Sequence, residues 1–175
     1  MNKIALITIF AFFAMSSIQA QKNIAKVDLL GFLFDNVQFS YERVVNEKSA
    51  FELSLSYKKV TGSLATLSND TDVNTIVGEA KYKFYLSSVS NAPRGWYVAP
   101  VINYYSTTLE ESGKSGGVSS FGGGLLVGHQ WMLGSFTIDV NAGGIYKSVN
   151  NTGDVTSINL DGLLPKFGFG IGYAF

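Results

Sequence analysis

The chain has 175 residues, room for one domain, and its 46% apolar against 15% charged residues would be rich for a soluble protein of that size. Its 13 basic and 13 acidic residues cancel, which argues against a nucleic-acid partner, because neutralising phosphates requires a basic surface. Cysteine is absent, so disulfides and thiolate chemistry are excluded.

Residues 1–20 read as a signal peptide. Lys3 supplies a positive start, Ile4 to Met15 form an apolar stretch, and the small-residue run Ser16-Ser17-Ile18-Gln19-Ala20 places cleavage after Ala20. A retained N-terminal anchor is the alternative, and the stretch is short for a spanning helix.

From Gln21 the chain divides into alternating segments separated by turn formers. Strand one is expected at about Ile24 to Phe34 and strand two at about Val37 to Val45, joined by a two-residue turn at Asp35-Asn36. Strand three, about Ser49 to Val60, sets Phe51, Leu53, Leu55 and Tyr57 against Glu52, Ser54, Ser56 and Lys58. A polar loop from Thr61 to Val73 leads to strand four, about Asn74 to Leu86, with Ile76, Ala80, Tyr82, Phe84 and Leu86 opposite Glu79, Lys81 and Lys83. Strand five, about Gly95 to Leu109, carries Trp96, Val98, Ile102 and Tyr104 on the face of Pro100; a bulge is expected at this proline, which cannot donate to a ladder. After a second long loop, Glu110 to Gly116, come strand six at about Val118 to Trp131 and a tight turn at Leu133-Gly134. Strand seven, about Ser135 to Ser148, sets Phe136, Ile138, Val140, Ala142 and Tyr146 against Thr137, Asp139, Asn141 and Lys147. A third long loop, Val149 to Leu164, returns to the last strand.

That last strand, Pro165 to Phe175, has Phe167, Phe169, Ile171, Tyr173 and Phe175 on one face and Gly168, Gly170, Gly172 and Ala174 on the other. A strand between lipid and a crowded lumen can carry large apolar groups outside and small ones inside. The closing aromatic resembles the C-terminal signal of bacterial outer-membrane proteins. With both ends in the periplasm, the connections after even strands are short and three of the four outward ones are long, as outer-membrane barrels require. The fold class expected is therefore all-β, an eight-stranded antiparallel up-and-down transmembrane β-barrel spanning residues 21–175. A soluble lipocalin-like barrel, with the faces reversed, is the structural rival.

Inward-facing Glu42, Glu52, Lys58, Glu79, Lys81, Lys83 and Asp139 put both signs of charge inside a narrow tube, where they are expected to pair and plug the lumen; an ion path is the functional alternative. The glycines of the last strand would leave room for charged side chains from strands three and four. His129, the single histidine, shares an outward face with Trp131, and with Trp96, Tyr173 and Phe175 it is read as an aromatic girdle near the periplasmic interface. A lipid-facing catalytic histidine, as in outer-membrane lipid A deacylases, is the sharper reading. Trp131 occupies the position where those enzymes place a serine, and Asp139 faces inward, so a triad is not supported. Gly122-Gly123-Gly124 and Gly143-Gly144 lack a following helix and fit close strand packing better than phosphate binding; Asn69-Asp70-Thr71-Asp72 lacks calcium-loop spacing. No cofactor or metal is expected. Loop acids Asp70, Asp72, Glu110, Glu111, Asp154 and Asp161 sit above Lys59, Lys147 and Lys166, a candidate collar for lipopolysaccharide phosphates.

The segments Phe39-Ser40-Tyr41-Glu42-Arg43, Gly95-Trp96-Tyr97-Val98-Ala99-Pro100 and Gly128-His129-Gln130-Trp131, the last leading into Phe136-Thr137-Ile138-Asp139, resemble a family of small outer-membrane barrels classed as a domain of unknown function. The resemblance implies an eight-stranded barrel in a Gram-negative outer membrane and implies no activity. The expected role is non-enzymatic, stabilising the envelope or presenting loops to an unidentified external partner. Expected partners are outer-membrane lipid, lipopolysaccharide and, through the C-terminal strand, the barrel assembly machinery. A lipid-modifying enzyme and a narrow passive pore stand as alternatives.

Overall fold

The computed structural model describes residues 22–32, 36–61, 71–87, 90–111, 114–152 and 162–175; the expected signal peptide, Asp35 and the tips of the long loops, Asp70, Asp154 and Asp161 among them, lie outside these residues. The strands are β1 (Asn23–Asp28), β2 (Asn36–Asn46), β3 (Ser49–Thr61), β4 (Thr71–Tyr85), β5 (Gly95–Glu111), β6 (Lys114–Leu133), β7 (Phe136–Thr152) and β8 (Gly162–Ala174), with a four-residue helix, α1 (Leu29–Phe32), after β1. Each strand pairs antiparallel with its sequence neighbour, and β8 pairs with β1 to close the barrel. Phe175, one residue past β8, exchanges two backbone hydrogen bonds with Asn23 at 2.8 and 3.2 Å, so the start of β1 and the last residue meet at the seam.

The stagger of the strands follows from the register. Stepping across partners from Ile24 through Glu42, Glu52, Lys81, Val101, Gly124 and Ile145 ends at Leu164, whereas Ile24 itself pairs with Ala174, ten residues further along β8. Such a shear tilts eight strands by roughly 40° and leaves an interior filled by side chains. The alternation read from the sequence holds: Phe51, Leu53, Leu55 and Tyr57 are exposed on the outside of β3, while Glu52, Ser54 and Ser56 are buried inside. Outside, Trp96, Trp131, Phe136 and Tyr173 ring the end that carries the termini, and Tyr57, Tyr104, Phe121 and Tyr146 ring the loop end. Between the rings, the outward positions of β6 from Phe121 to Trp131 and of β7 from Phe136 to Tyr146 are mostly apolar, about the 9–11 residues a tilted strand needs to cross a bilayer.

Several expectations change. Leu29–Phe32, expected in the second half of strand one, is instead the turn of helix α1, so β1 stops at Asp28; Asn36, expected in a two-residue turn, is the first residue of β2. Pro100 produces no bulge. The β4–β5 register is the same on both sides of it (Lys81 with Val101, Phe84 with Val98), so the missing donor leaves a gap in the ladder rather than an inserted residue. The one register shift recorded in β2–β3 lies between Val44 and Asn46. The polar stretch from Glu110 to Gly116 is mostly strand, since β5 runs to Glu111 and β6 begins at Lys114. The tight turn falls on Gly134 and Ser135, with Gly134 at φ +64°, a left-handed conformation for which glycine carries no steric penalty.

The glycine pairs of β6 and β7 allow close approach, as expected. A Cβ on Gly124 would stand 2.0 Å from the Gly144 carbonyl oxygen, and one on Gly143 would stand 2.1 Å from that of Leu125.

Candidate functional site: a charged lumen

Even-numbered positions of β1, β2 and β3 and odd-numbered positions of β4, β5 and β7 point inward, and near the terminal end this parity collects most of the charge. Lys26 Nζ lies beside Glu42 and within hydrogen-bond distance of Glu52 Oε2 at 3.0 Å, Gln130 Oε1 at 2.8 Å and Asp139 Oδ2 at 2.7 Å, four acceptors around its three N–H groups. Lys83 Nζ lies 2.8 Å from Glu42 Oε2, 2.7 Å from Glu52 Oε2 and 3.1 Å from Gln130 Oε1, and it also donates to Asp139. Lys81 Nζ meets Glu52 Oε1 at 2.7 Å and approaches Glu79 Oε1 at 3.5 Å. Two phenols complete the layer: Tyr85 donates to Glu42 Oε1 at 3.0 Å and Tyr97 to Asp139 Oδ1 at 2.6 Å. Three lysines thus face three carboxylates, all buried. Removing ions from water costs several kcal/mol each, so such a cluster persists only when nearly every ion is paired and hydrogen-bonded.

A fourth pair continues toward the loop end. Lys166 of β8 donates to Glu79 of β4, which also accepts from Asn103 Nδ2 at 3.4 Å. At the terminal end, Tyr85 and Tyr97 pack with Ala50 and Ala99 into a small apolar floor, and a second cluster of Val101, Leu126 and Ile145 lines the wall.

Of the residues singled out from sequence, Glu42, Glu52, Glu79, Lys81, Lys83 and Asp139 come together. Lys58 is inward and half-buried but forms no ion pair with another described residue. Lys26, Gln130, Tyr85 and Tyr97 belong to the cluster and were not foreseen. The collar needs correction: Lys166 reaches into the lumen to Glu79, and Lys147 lies on the same inward row as Asp139 and Asn141, its Nζ 3.5 Å from the centre of the Tyr105 ring. Their parity follows the pleat, so neither can ring the outside; the side chain of Lys59, the third collar residue, lies outside those described. The inner face of β8 also serves other neighbours than those expected. A Cβ on Gly168 would meet the Asn141 amide at 2.8 Å, and one on Gly172 would meet Lys26 Cγ and Thr137 Oγ1 at 2.7 Å, so the space belongs to β7 and β1.

The girdle residues do gather at the terminal end. His129 sits outside between Trp96 (ring centroids 5.0 Å apart) and Trp131 (4.2 Å), Tyr173 packs edge-on against Phe136 at 5.6 Å, and Phe175 is half-buried at the seam. The carboxylate of Asp139 lies on the other side of the wall, bonded to Lys26, Lys83 and Tyr97, and His129 Nδ1 has no hydrogen-bond partner among the described residues. The imidazole is not engaged with a carboxylate there, which a triad would require. Oxygens of Glu42, Glu52 and Asp139 lie within 4.8 Å of one another, a spacing a metal ion could use, but the ammonium groups of Lys26 and Lys83 fill the place between them.

Neisserial surface protein A has the same fold. It superposes with a TM-score of 0.51 at 15% identity, covering 87% of this chain and 93% of that one. Ail, the attachment invasion locus protein of Yersinia pestis, gives 0.47 at 14% identity (87% and 95% covered), and CarO of Acinetobacter baumannii 0.46 at 13% (87% and 96%). No curated protein matches the chain in sequence. Residues 6–153 match the model of a family described as "Protein of unknown function (DUF3575)".

Proposed function

The chain belongs to that family of unknown function, and from this premise we propose that it works as a small integral barrel of a Gram-negative outer membrane, sealed inside, with a structural or loop-mediated role at the envelope. In this reading residues 1–20 direct export and are removed after Ala20, residues 21–175 form the barrel, and β8 with its closing Phe175 is the segment offered to the assembly machinery. The paired aromatic rings and the apolar band between them suit outer-membrane lipid and lipopolysaccharide.

The observation that carries the proposal is the neutral charge layer of Lys26, Lys81 and Lys83 with Glu42, Glu52 and Asp139. An ion crossing the lumen would have to break several charge-assisted hydrogen bonds at once, each stronger than a neutral one. The layer holds no exposed nucleophile beside a base, which favours a non-enzymatic role over lipid modification. Planar-bilayer recording tests the seal: the native chain should show no steady conductance, and a steadily conducting native chain would overturn it. Migration on denaturing gels before and after boiling checks the barrel separately.

A further inference from the structure

The outer wall of the barrel is not evenly covered. Two outward rows cross the strands side by side, one running in register from Phe39 on β2 to Phe121 on β6, the other from Tyr41 on β2 to Ile102 on β5. Between them lies a row whose side chains, Glu79 and Asn103 among them, turn into the lumen and leave pleated backbone facing out. Both outward rows lose their bulk on β4, at Gly78 and Ala80. A groove of about 660 Å³ opens there, flanked by Leu53 and Leu55 on β3 and by Ile102 and Tyr104 on β5. That volume lies within the range of small-ligand sites.

The neighbouring side chains leave this space open. Gly144, another outward glycine, is covered, since a Cβ there would stand 3.1 Å from Leu163 Cδ1. A Cβ on Gly78 would meet nothing within 4 Å. Uncovered backbone forfeits dispersion contacts that an occupant would restore.

The dimensions are those of a single hydrocarbon chain. The two ridges stand two residues apart along each strand, about 7 Å, and four strand spacings from β2 to β6 give a length of about 19 Å. A helix with its side chains is about 10–12 Å across, too wide for the channel, and a second barrel would bring only a convex wall. The stagger lifts each row toward the loop end between β1 and β8, because the row from Ile24 ends at Leu164 while Ile24 itself pairs with Ala174. The groove therefore climbs from β2 to Tyr104 and Phe121 of the loop-end ring. At a strand tilt of roughly 40° the climb is about 12 Å, about half the roughly 25 Å apolar band of such barrels. It occupies the outward leaflet.

We propose that this groove holds one acyl chain of a lipopolysaccharide, entering beside Tyr104 and Phe121 and ending near Phe39 and Tyr41 in mid-membrane. The inference rests on the membrane placement proposed above, which the gel-migration assay tests independently.

The test uses the mature chain in phosphatidylcholine nanodiscs with a trace of phosphatidylglycerol that carries a diazirine near either the carboxyl or the methyl end of one palmitoyl chain. Illumination and peptide mapping then locate the label. The carboxyl-end probe should mark residues 102–104 and 121, the methyl-end probe residues 39–41 and 53–55, and unlabelled lipid A should relieve both. Gly78→Phe, whose ring has room on the outside, should cut the labelling by about tenfold, the worth of burying roughly two methylene groups. Even labelling around the wall, labelling unchanged in Gly78→Phe, or labelling that persists against lipid A would overturn the site. The reverse depth order would place the chain in the terminal-end leaflet and overturn the lipopolysaccharide. A sedimenting dimer that Gly78→Phe dissociates would give the groove to a second copy and overturn the lipid. The depth order needs no variant, so it decides even where Gly78→Phe does not fold.

Discussion

The two ends of one lumen are built from the same residue types to opposite effect. Toward the termini, Lys26, Lys81 and Lys83 are buried and each meets at least one carboxylate; toward the loops, Lys58 is half-buried and Lys147 rests on a phenol ring, with no acid among the described residues. The difference teaches that lumen charge is not one quantity. Where water is excluded, every charge must be answered and the layer becomes rigid. Where water reaches, an unanswered lysine costs little and remains available.

The sharpest way to break this contrast is to remove a central cation. Lys83→Ala leaves Glu42, Glu52 and Asp139 sharing two lysines and should cost about 3–5 kcal/mol, read from urea unfolding of the refolded barrel; a loss under about 1 kcal/mol would mean that water already reaches the cluster. A smaller effect is expected from packing alone. A Cβ on Gly128 would stand 2.4 Å from the Tyr97 ring and 2.7 Å from the Val140 carbonyl oxygen. Gly128→Ala should therefore displace the Tyr97 hydroxyl from Asp139 and lower stability by about 1–3 kcal/mol in the same assay, the range of overpacked cores. The smallest change belongs to the loop end. Lys58→Gln should shift stability by no more than about 0.5 kcal/mol, and a shift comparable to that of Lys83→Ala would show the two halves to be equally loaded.

Much of this was legible in the residues. Period-two alternation gives the inward row of Glu79, Lys81 and Lys83 directly, because a half-exposed strand sorts polar from apolar side chains by parity. Lys26 escaped because β1 is short and its inward Ile24 is apolar while its outward Ala25 is small, which blurs the contrast. Tyr85 and Tyr97 escaped for a related reason: they stand on inward rows whose floor is apolar, with Ala50 and Ala99, and an apolar lumen floor contradicts the rule that separates the faces. Lys166 meeting Glu79, 87 residues away, depends on the stagger of all eight strands, which no single segment encodes. Loop boundaries misled because the ladder persists past the lipid through polar residues, with Glu110 paired to Ser115 and Glu111 to Lys114.

The charge layer also bears on how the barrel is made. Lys26, in the first strand, completes its bonds with Gln130 and Asp139, 104 and 113 residues later in the chain. Until β6 and β7 are in place, part of that cation's shell is missing, and a half-built sheet carries charge on the surface that will later be innermost. Glu42 and Glu52 come early, and the last of the three carboxylates arrives with β7. Part of the reward for closure is thereby held back to the end of assembly, and a chain truncated before β7 retains Lys26, Lys81 and Lys83 but lacks Asp139.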